Sequence, residues 1–146
     1  MIRDLFSTIQ NAFTPEVFKH LRSIKINHVL ELEYCKIIED IFNENCIKFI
    51  RNVNKYPDYQ FINGKALEIK SSRTKYIKLN DSIPCSNVDY LIINLKLERL
   101  DLLSCEELIS EEDKQQLIRN KDEIKSYKKN GKVSMYPRVN IKIKYM

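Results

Sequence analysis

Glycine is nearly absent from this chain, with Gly64 and Gly131 the two examples, and proline occurs four times. This scarcity excludes flexible linkers, low-complexity spacers and any glycine-rich loop able to cradle a nucleotide. No internal repeat divides the sequence. Residues 1–146 therefore read as one domain, with material for one modest core. No uncharged apolar run approaches the roughly 18 residues that a membrane span requires. The opening MIRDLFSTIQ also lacks the pattern of a secretory signal, so the expectation is a cytoplasmic chain with no membrane partner. Nor is there a serine, histidine and aspartate arrangement with a nucleophile elbow. Cys35, Cys46, Cys85 and Cys105 include no CxxC pair and have only His20 and His28 as prospective co-ligands. Four reduced cysteines in packing roles is the expected state.

Charge is the first positive signal. Lys and Arg number 25 against 20 Asp and Glu, a net +5 that favours polyanions without proving one is bound. Residues 121–146 are rich in Lys and Arg with only Asp122 and Glu123 opposing them, whereas 98–113 are mostly acidic. That basic end suits phosphate contacts or plain solubility, and charge alone leaves both open.

Coarse periodicity predicts helices over 2–12 and 15–23, the second with Thr14 as N-cap and Pro15 in its first turn. A longer helix is expected over 27–50, capped by Asn27 and carrying Val29, Leu32, Ile37, Ile41, Cys46 and Phe49 as its apolar set. Strands follow at 56–62 and 65–71 about Asn63-Gly64, and DYLIINLKL over 89–97 reads as a buried strand. Ser104 with Glu107, and Ser110 with Asp113, predict helix starts leading into helical sequence that ends near Asn130-Gly131. RVNIKIKYM at 138–146 alternates as an edge strand does. Helix, hairpin, strand, helix, strand is an α/β order, and its sheet should be mixed with an antiparallel hairpin at its heart.

The hairpin YPDYQFINGKALEIKSS, 56–72, tests register against polarity. A two-residue Asn63-Gly64 turn would place Asp58 across from Ile69 and Tyr59 across from Glu68, mixing charge with core. A three-residue loop, Ile62-Asn63-Gly64 with Gly64 left-handed, instead pairs Phe61 with Lys65 and Asp58 with Glu68. One face then carries Asp58, Gln60, Ala66, Glu68 and Lys70, the other Tyr59, Phe61, Leu67 and Ile69. The three-residue register is predicted.

Directly opposed residues have Cβ atoms about 5 Å apart. Two carboxylates so placed can share one Mg²⁺, a hard cation that takes one or two protein carboxylates and keeps waters for substrate phosphate to displace. Lys70, two strand steps on, would stand by to orient or deprotonate an attacking water. The competing reading is a hairpin whose polar face is simply wet, with Glu68 and Lys70 a weak surface pair.

Tyr56-Pro57-Asp58 and Leu67-Glu68-Ile69-Lys70-Ser71-Ser72 resemble the signature of the PD-(D/E)xK nuclease superfamily. The resemblance implies a three-layer restriction-endonuclease-like α/β fold, a central mixed sheet flanked by helices. It implies that Asp58 and Glu68 hold Mg²⁺, with Mn²⁺ able to substitute, and that Lys70 assists the water. Members often present a further glutamate from the preceding helix, for which Glu33 in LELEYCKIIEDIF is the best match and Glu31 the second. LNDSIPCSNVDYLIINL, through Asn80, Asp81, Ser82 and Pro84, resembles a segment of type II restriction endonucleases, and YPRVNIKIKY does so more weakly.

A Mg²⁺-dependent type II restriction endonuclease is thus the leading expectation, a homodimer cutting both strands of double-stranded DNA and leaving 5′-phosphate ends. DNA contacts are expected from 72–88 and 129–140. In the first, Arg73, Lys75, Lys78, Asn80 and Asp81 offer donors and acceptors. In the second, Arg138 can reach a guanine edge and Lys128, Lys129 and Lys132 can hold phosphates. Each is also explicable as surface. A Holliday-junction resolvase shares the hairpin, but only Arg51 stands where an arginine-rich motif belongs. A DNA-binding module without catalysis would keep DNA affinity after Asp58→Ala and need no divalent ion.

Overall fold

The computed structural model describes residues 2–53, 55–79, 84–129 and 139–142, with 78, 123–129 and 139–142 as backbone. Three helices come first: α1 (Ile2–Ala12), α2 (Pro15–Ser23) and α3 (Asn27–Glu44). Thr14 caps α2 as expected, its hydroxyl accepting from the Val17 N–H at 3.3 Å, and Pro15 opens the first turn.

The third helix is shorter than its apolar pattern predicts, ending at Glu44. The Cys46 N–H donates to the Asn43 carbonyl and the Ile47 N–H to that of Phe42, the two bonds of a Schellman stop. Cys46 holds a left-handed φ of 57° where glycine is usual, so the stop carries no ordinary sequence mark. Phe49, seven positions after Phe42, continues the helical spacing by coincidence and belongs instead to strand β1 (Phe49–Arg51). The buried stripe of α3 is Leu30, Tyr34, Cys35, Ile38, Ile41 and Phe42, while Val29 and Leu32 are exposed. Ile26 is the N-cap residue, with no side-chain cap, so Asn27 does not cap the helix.

The predicted hairpin is present as β2 (Tyr59–Phe61) and β3 (Ala66–Ser72). Tyr59 faces Leu67 and Gln60 faces Ala66, the three-residue-loop register. The Phe61 N–H donates to the Lys65 carbonyl, and Gly64 has the left-handed φ of 82° that the loop needs. Strand β4 (Tyr76–Leu79) follows, then β5 (Val88–Asn94) and β6 (Arg99–Leu103). The main sheet runs β1-β2-β3-β5-β6, with β3 and β5 parallel and the other neighbours antiparallel. Helix α4 (Cys105–Leu108) begins with the expected Ser104–Glu107 capping box, and α5 (Glu111–Lys129) with the Asp113 N–H on Ser110. Strand β7 (Val139–Lys142) pairs antiparallel with β4 in a separate two-stranded sheet.

Both faces of the five-stranded sheet are covered. Tyr59, Phe61, Leu67, Ile69, Leu91 and Ile93 join the buried stripes of α1, α2 and α3. Ala66, Tyr90 and Ile92 on the other face join Leu108, Ile109 and Leu117 from the α4–α5 region. Among the described residues, the five-stranded sheet and five helices make a mixed α/β domain. Cys35 and Cys105 pack in these cores, whereas Cys46 and Cys85 are exposed, so packing accounts for two of the four free thiols. No helix among the described residues is long and apolar enough to cross a membrane.

Candidate active site

Asp58 stands one residue before β2, held by its neighbours. Asn52 donates its backbone N–H to the Asp58 carbonyl at 2.8 Å and its side-chain amide to the Pro57 carbonyl at 2.7 Å. One carboxylate oxygen, Oδ2, accepts the Ile69 N–H at 2.8 Å, taking the place a strand carbonyl would have in the ladder. In return the Asp58 N–H donates to Glu68 Oε1 at 3.1 Å. Behind Asp58, the Tyr59 hydroxyl donates to Glu39 on α3 at 2.7 Å, and Arg51 donates to the same carboxylate oxygen at 3.1 Å.

Glu68 is the buried member of the pair, 6% exposed. Its other oxygen, Oε2, lies 3.6 Å from Lys70 Nζ. Burial, and after it the adjoining Asp58 carboxylate, push the Glu68 pKa up to about 8, with Lys70 opposing the rise. In the parallel register Tyr90 lies beside Glu68. Its hydroxyl is 2.7 Å from that of Tyr56, just ahead of Pro57-Asp58. Burial raises both phenols, Tyr56 to about 12, so this side of the site is neutral. Tyr34 on α3, buried and also raised by burial, hydrogen-bonds Ser71 and feels the charges of Glu31 and Asp58.

The structure thus brings Asp58, Glu68 and Lys70 together. Glu33 is not brought to them: it is exposed on α3, 3.7 Å from His20 Nε2 on α2. No cluster of three or more His, Cys, Asp or Glu suited to a metal exists among the described residues. Two hard carboxylates, one of them raised toward its neutral form by burial and by its neighbour, nevertheless fit a cation that takes one or two protein ligands and several waters.

The expected DNA-contact residues divide. Arg73 donates to the Arg22 and Ile24 carbonyls at the end of α2, so its guanidinium is engaged within the fold. Lys75 is exposed, its ammonium 5.7 Å from the centre of the Tyr76 ring. Asn80, Asp81 and Arg138 lie outside the described residues, as do Ser82 and Lys132, and the side chains of Lys78, Lys128 and Lys129 are not among those described. Tyr34, Glu39 and Tyr90 escape sequence reasoning because each reads as core or surface until the sheet order is known.

Comparison with family models, curated proteins and solved structures finds no match to this chain.

Proposed function

We propose that this chain is a metal-dependent DNA endonuclease of the type II restriction class, built on a restriction-endonuclease-like fold. In this reading it hydrolyses phosphodiester bonds at a defined double-stranded site. One observation carries the reading: Asp58 and Glu68 oppose each other across the hairpin with the Lys70 ammonium 3.6 Å from Glu68.

Mg²⁺ at the pair, or Mn²⁺ in its place, would neutralise charge on the phosphate and make water a stronger acid. The chain's own residues supply the positioning. The Ile69 N–H fixes the Asp58 carboxylate through Oδ2 and so holds it against Glu68 as a candidate ligand. Glu68, held toward its protonated form by burial and then by Asp58, would serve as a ligand in its ionised form. Lys70 donates to the attacking water and aligns it with phosphorus. The new bond joins that water's oxygen to phosphorus, and the bond to the 3′ oxygen breaks. The products are a 5′-phosphate and a 3′-hydroxyl. Two strands need two such centres, so the working form is a homodimer on a two-fold symmetric site.

The test is incubation of the purified chain with unmethylated phage DNA and Mg²⁺, beside Asp58→Ala and an EDTA control. Discrete bands that vanish in both controls are expected. Intact linear DNA would end the restriction reading, and cutting of a four-way junction in its place would redirect it to junction resolution.

A further inference from the structure

The hairpin is lopsided. Within β3, strand β2 pairs with Ala66 and Leu67 alone, whereas β3 runs on to Ser72 beside β5. The direction of each β3 amide follows from two bonds. The Ala66 N–H donates to Asn87 at the start of β5, and the Leu95 N–H, just past β5, donates to the Ser72 carbonyl. Even-numbered residues of β3 therefore turn their backbone groups toward β5. Odd-numbered residues turn theirs the other way, as the Ile69 N–H does in reaching Asp58. Ser71 is the next odd residue. Its N–H points to the edge that β2 has left, and it has no partner among the described residues.

A cleft of about 290 Å³ lies along that edge. Lys70 and Ser71 line one side, Asn27 and Leu30 of α3 another, and Tyr76 and Ile77 of β4 a third. Leu30 and Ile77 are buried, giving the cleft an apolar floor, while Tyr76 is 43% exposed. Asn27 is exposed and, having no capping role, keeps its carboxamide without a hydrogen-bond partner among the described residues. Donors from two elements line it: the Ser71 N–H and Lys70 of β3, and the Asn27 amide of α3. No carboxylate lines the cleft, and the acidic pair lies beyond Lys70. The Ser72 and Thr74 hydroxyls also line it, but they are bonded within the Ser72–Tyr76 turn. Open donors beside a lysine, with no carboxylate among the lining residues, favour an anion, and planar or tetrahedral oxygens fit amides better than chloride does.

We infer that this cleft is a phosphate subsite in which the Ser71 N–H and the Asn27 amide hold a backbone phosphate next to the one cut. It rests on the nuclease reading for the identity of the ligand. Ser71 stands two strand steps from Ile69, about 6.6 Å along β3. A strand lying on this edge therefore meets Lys70 between the metal pair and the subsite.

The test is amide NMR of the ¹⁵N-labelled full chain, titrated in EDTA with inorganic phosphate and, at matched ionic strength, with sodium chloride. A saturable shift of the Ser71 amide with phosphate alone is expected, the Leu67 amide in the ladder staying still. Asn27→Ala, a change at an exposed side chain, should weaken the fitted Kd roughly threefold to tenfold. A Ser71 amide that moves no more with phosphate than with chloride, or an unchanged Kd in Asn27→Ala, overturns the subsite. A short DNA duplex should move the same amide and a methylphosphonate duplex should not. A response confined to free phosphate overturns the backbone assignment. The cleavage assay separates the two readings. Mg²⁺-dependent cutting with a silent Ser71 amide removes the subsite alone. A responsive amide without cutting keeps the phosphate site and removes the nuclease.

Discussion

Asp58 and Glu68 bind each other through the backbone: the Asp58 N–H donates to Glu68 Oε1 at 3.1 Å, and the Ile69 N–H donates back to Asp58 Oδ2 at 2.8 Å. The exchange locks two carboxylates on one sheet face, one of them almost fully buried. A fold does not gather like charges at such a place for stability, because burial and repulsion both oppose it. Their closeness is what a cation would relieve.

Asp58→Asn and Asp58→Ala should separate chemistry from architecture. In the first variant the carboxamide oxygen would still accept the Ile69 N–H, so stability should stay near that of the unaltered chain while DNA cleavage falls by roughly 10³ or more. The alanine should lose the same activity and about 1 kcal/mol of stability besides, since it leaves that N–H without its acceptor. Cleavage rates and urea unfolding measure the two effects. Cutting at full rate by either variant would refute the assignment of Asp58.

Glu68 should make the metal-free protein pH-sensitive. Its pKa rises from 4.5 to about 8 on folding, so the folded state holds a proton that the unfolded chain has released. The associated stability is whole below the unfolded value and drains away as pH rises through about 8. Glu68→Gln has no such proton to lose. Thermal melts in EDTA from about pH 5 to about pH 9 should show the unaltered chain losing ground to the variant. Added Mg²⁺ should narrow the gap, because a cation stabilises the ionised pair. Parallel curves in EDTA would refute the shift.

Arg73 should prove structural. Its bonds to the Arg22 and Ile24 carbonyls tie the turn after β3 to the end of α2. Arg73→Ala should cost about 1 kcal/mol, discounted for exposure, and lower the melting temperature by several degrees. An unchanged melting temperature with weakened DNA affinity would instead return Arg73 to the DNA-contact role.

Gly64 should resist substitution for a conformational reason. A Cβ there would meet nothing within 4 Å, yet the backbone φ is 82°. Gly64→Ala should therefore cost about 1 kcal/mol through left-handed strain alone. Gly64→Asn should cost less, since asparagine tolerates that region better. Equal unfolding midpoints for the two variants would contradict this account.

The hairpin and its register follow from residue order alone. Strand side chains alternate with period two, and only one pairing sorted Asp58, Gln60, Glu68 and Lys70 from Tyr59, Phe61, Leu67 and Ile69. The Thr14 and Ser104 caps were equally legible, because a cap is a local hydrogen bond between residues close in sequence. Strands β1, β4 and β6 were not. Three to five residues of mixed polarity carry too little periodicity, and the Schellman stop at Cys46 lacked the glycine that advertises one.

How distant elements meet was settled by packing in three dimensions. The parallel pairing of β3 with β5 set Tyr90 beside Glu68 and turned the Ser71 N–H toward an open edge. The rotation of α3 buried Tyr34 and left Glu33 with His20, away from the acidic pair. Both outcomes depend on which faces bury the most apolar surface together, a property of the whole packed core that no local spacing encodes.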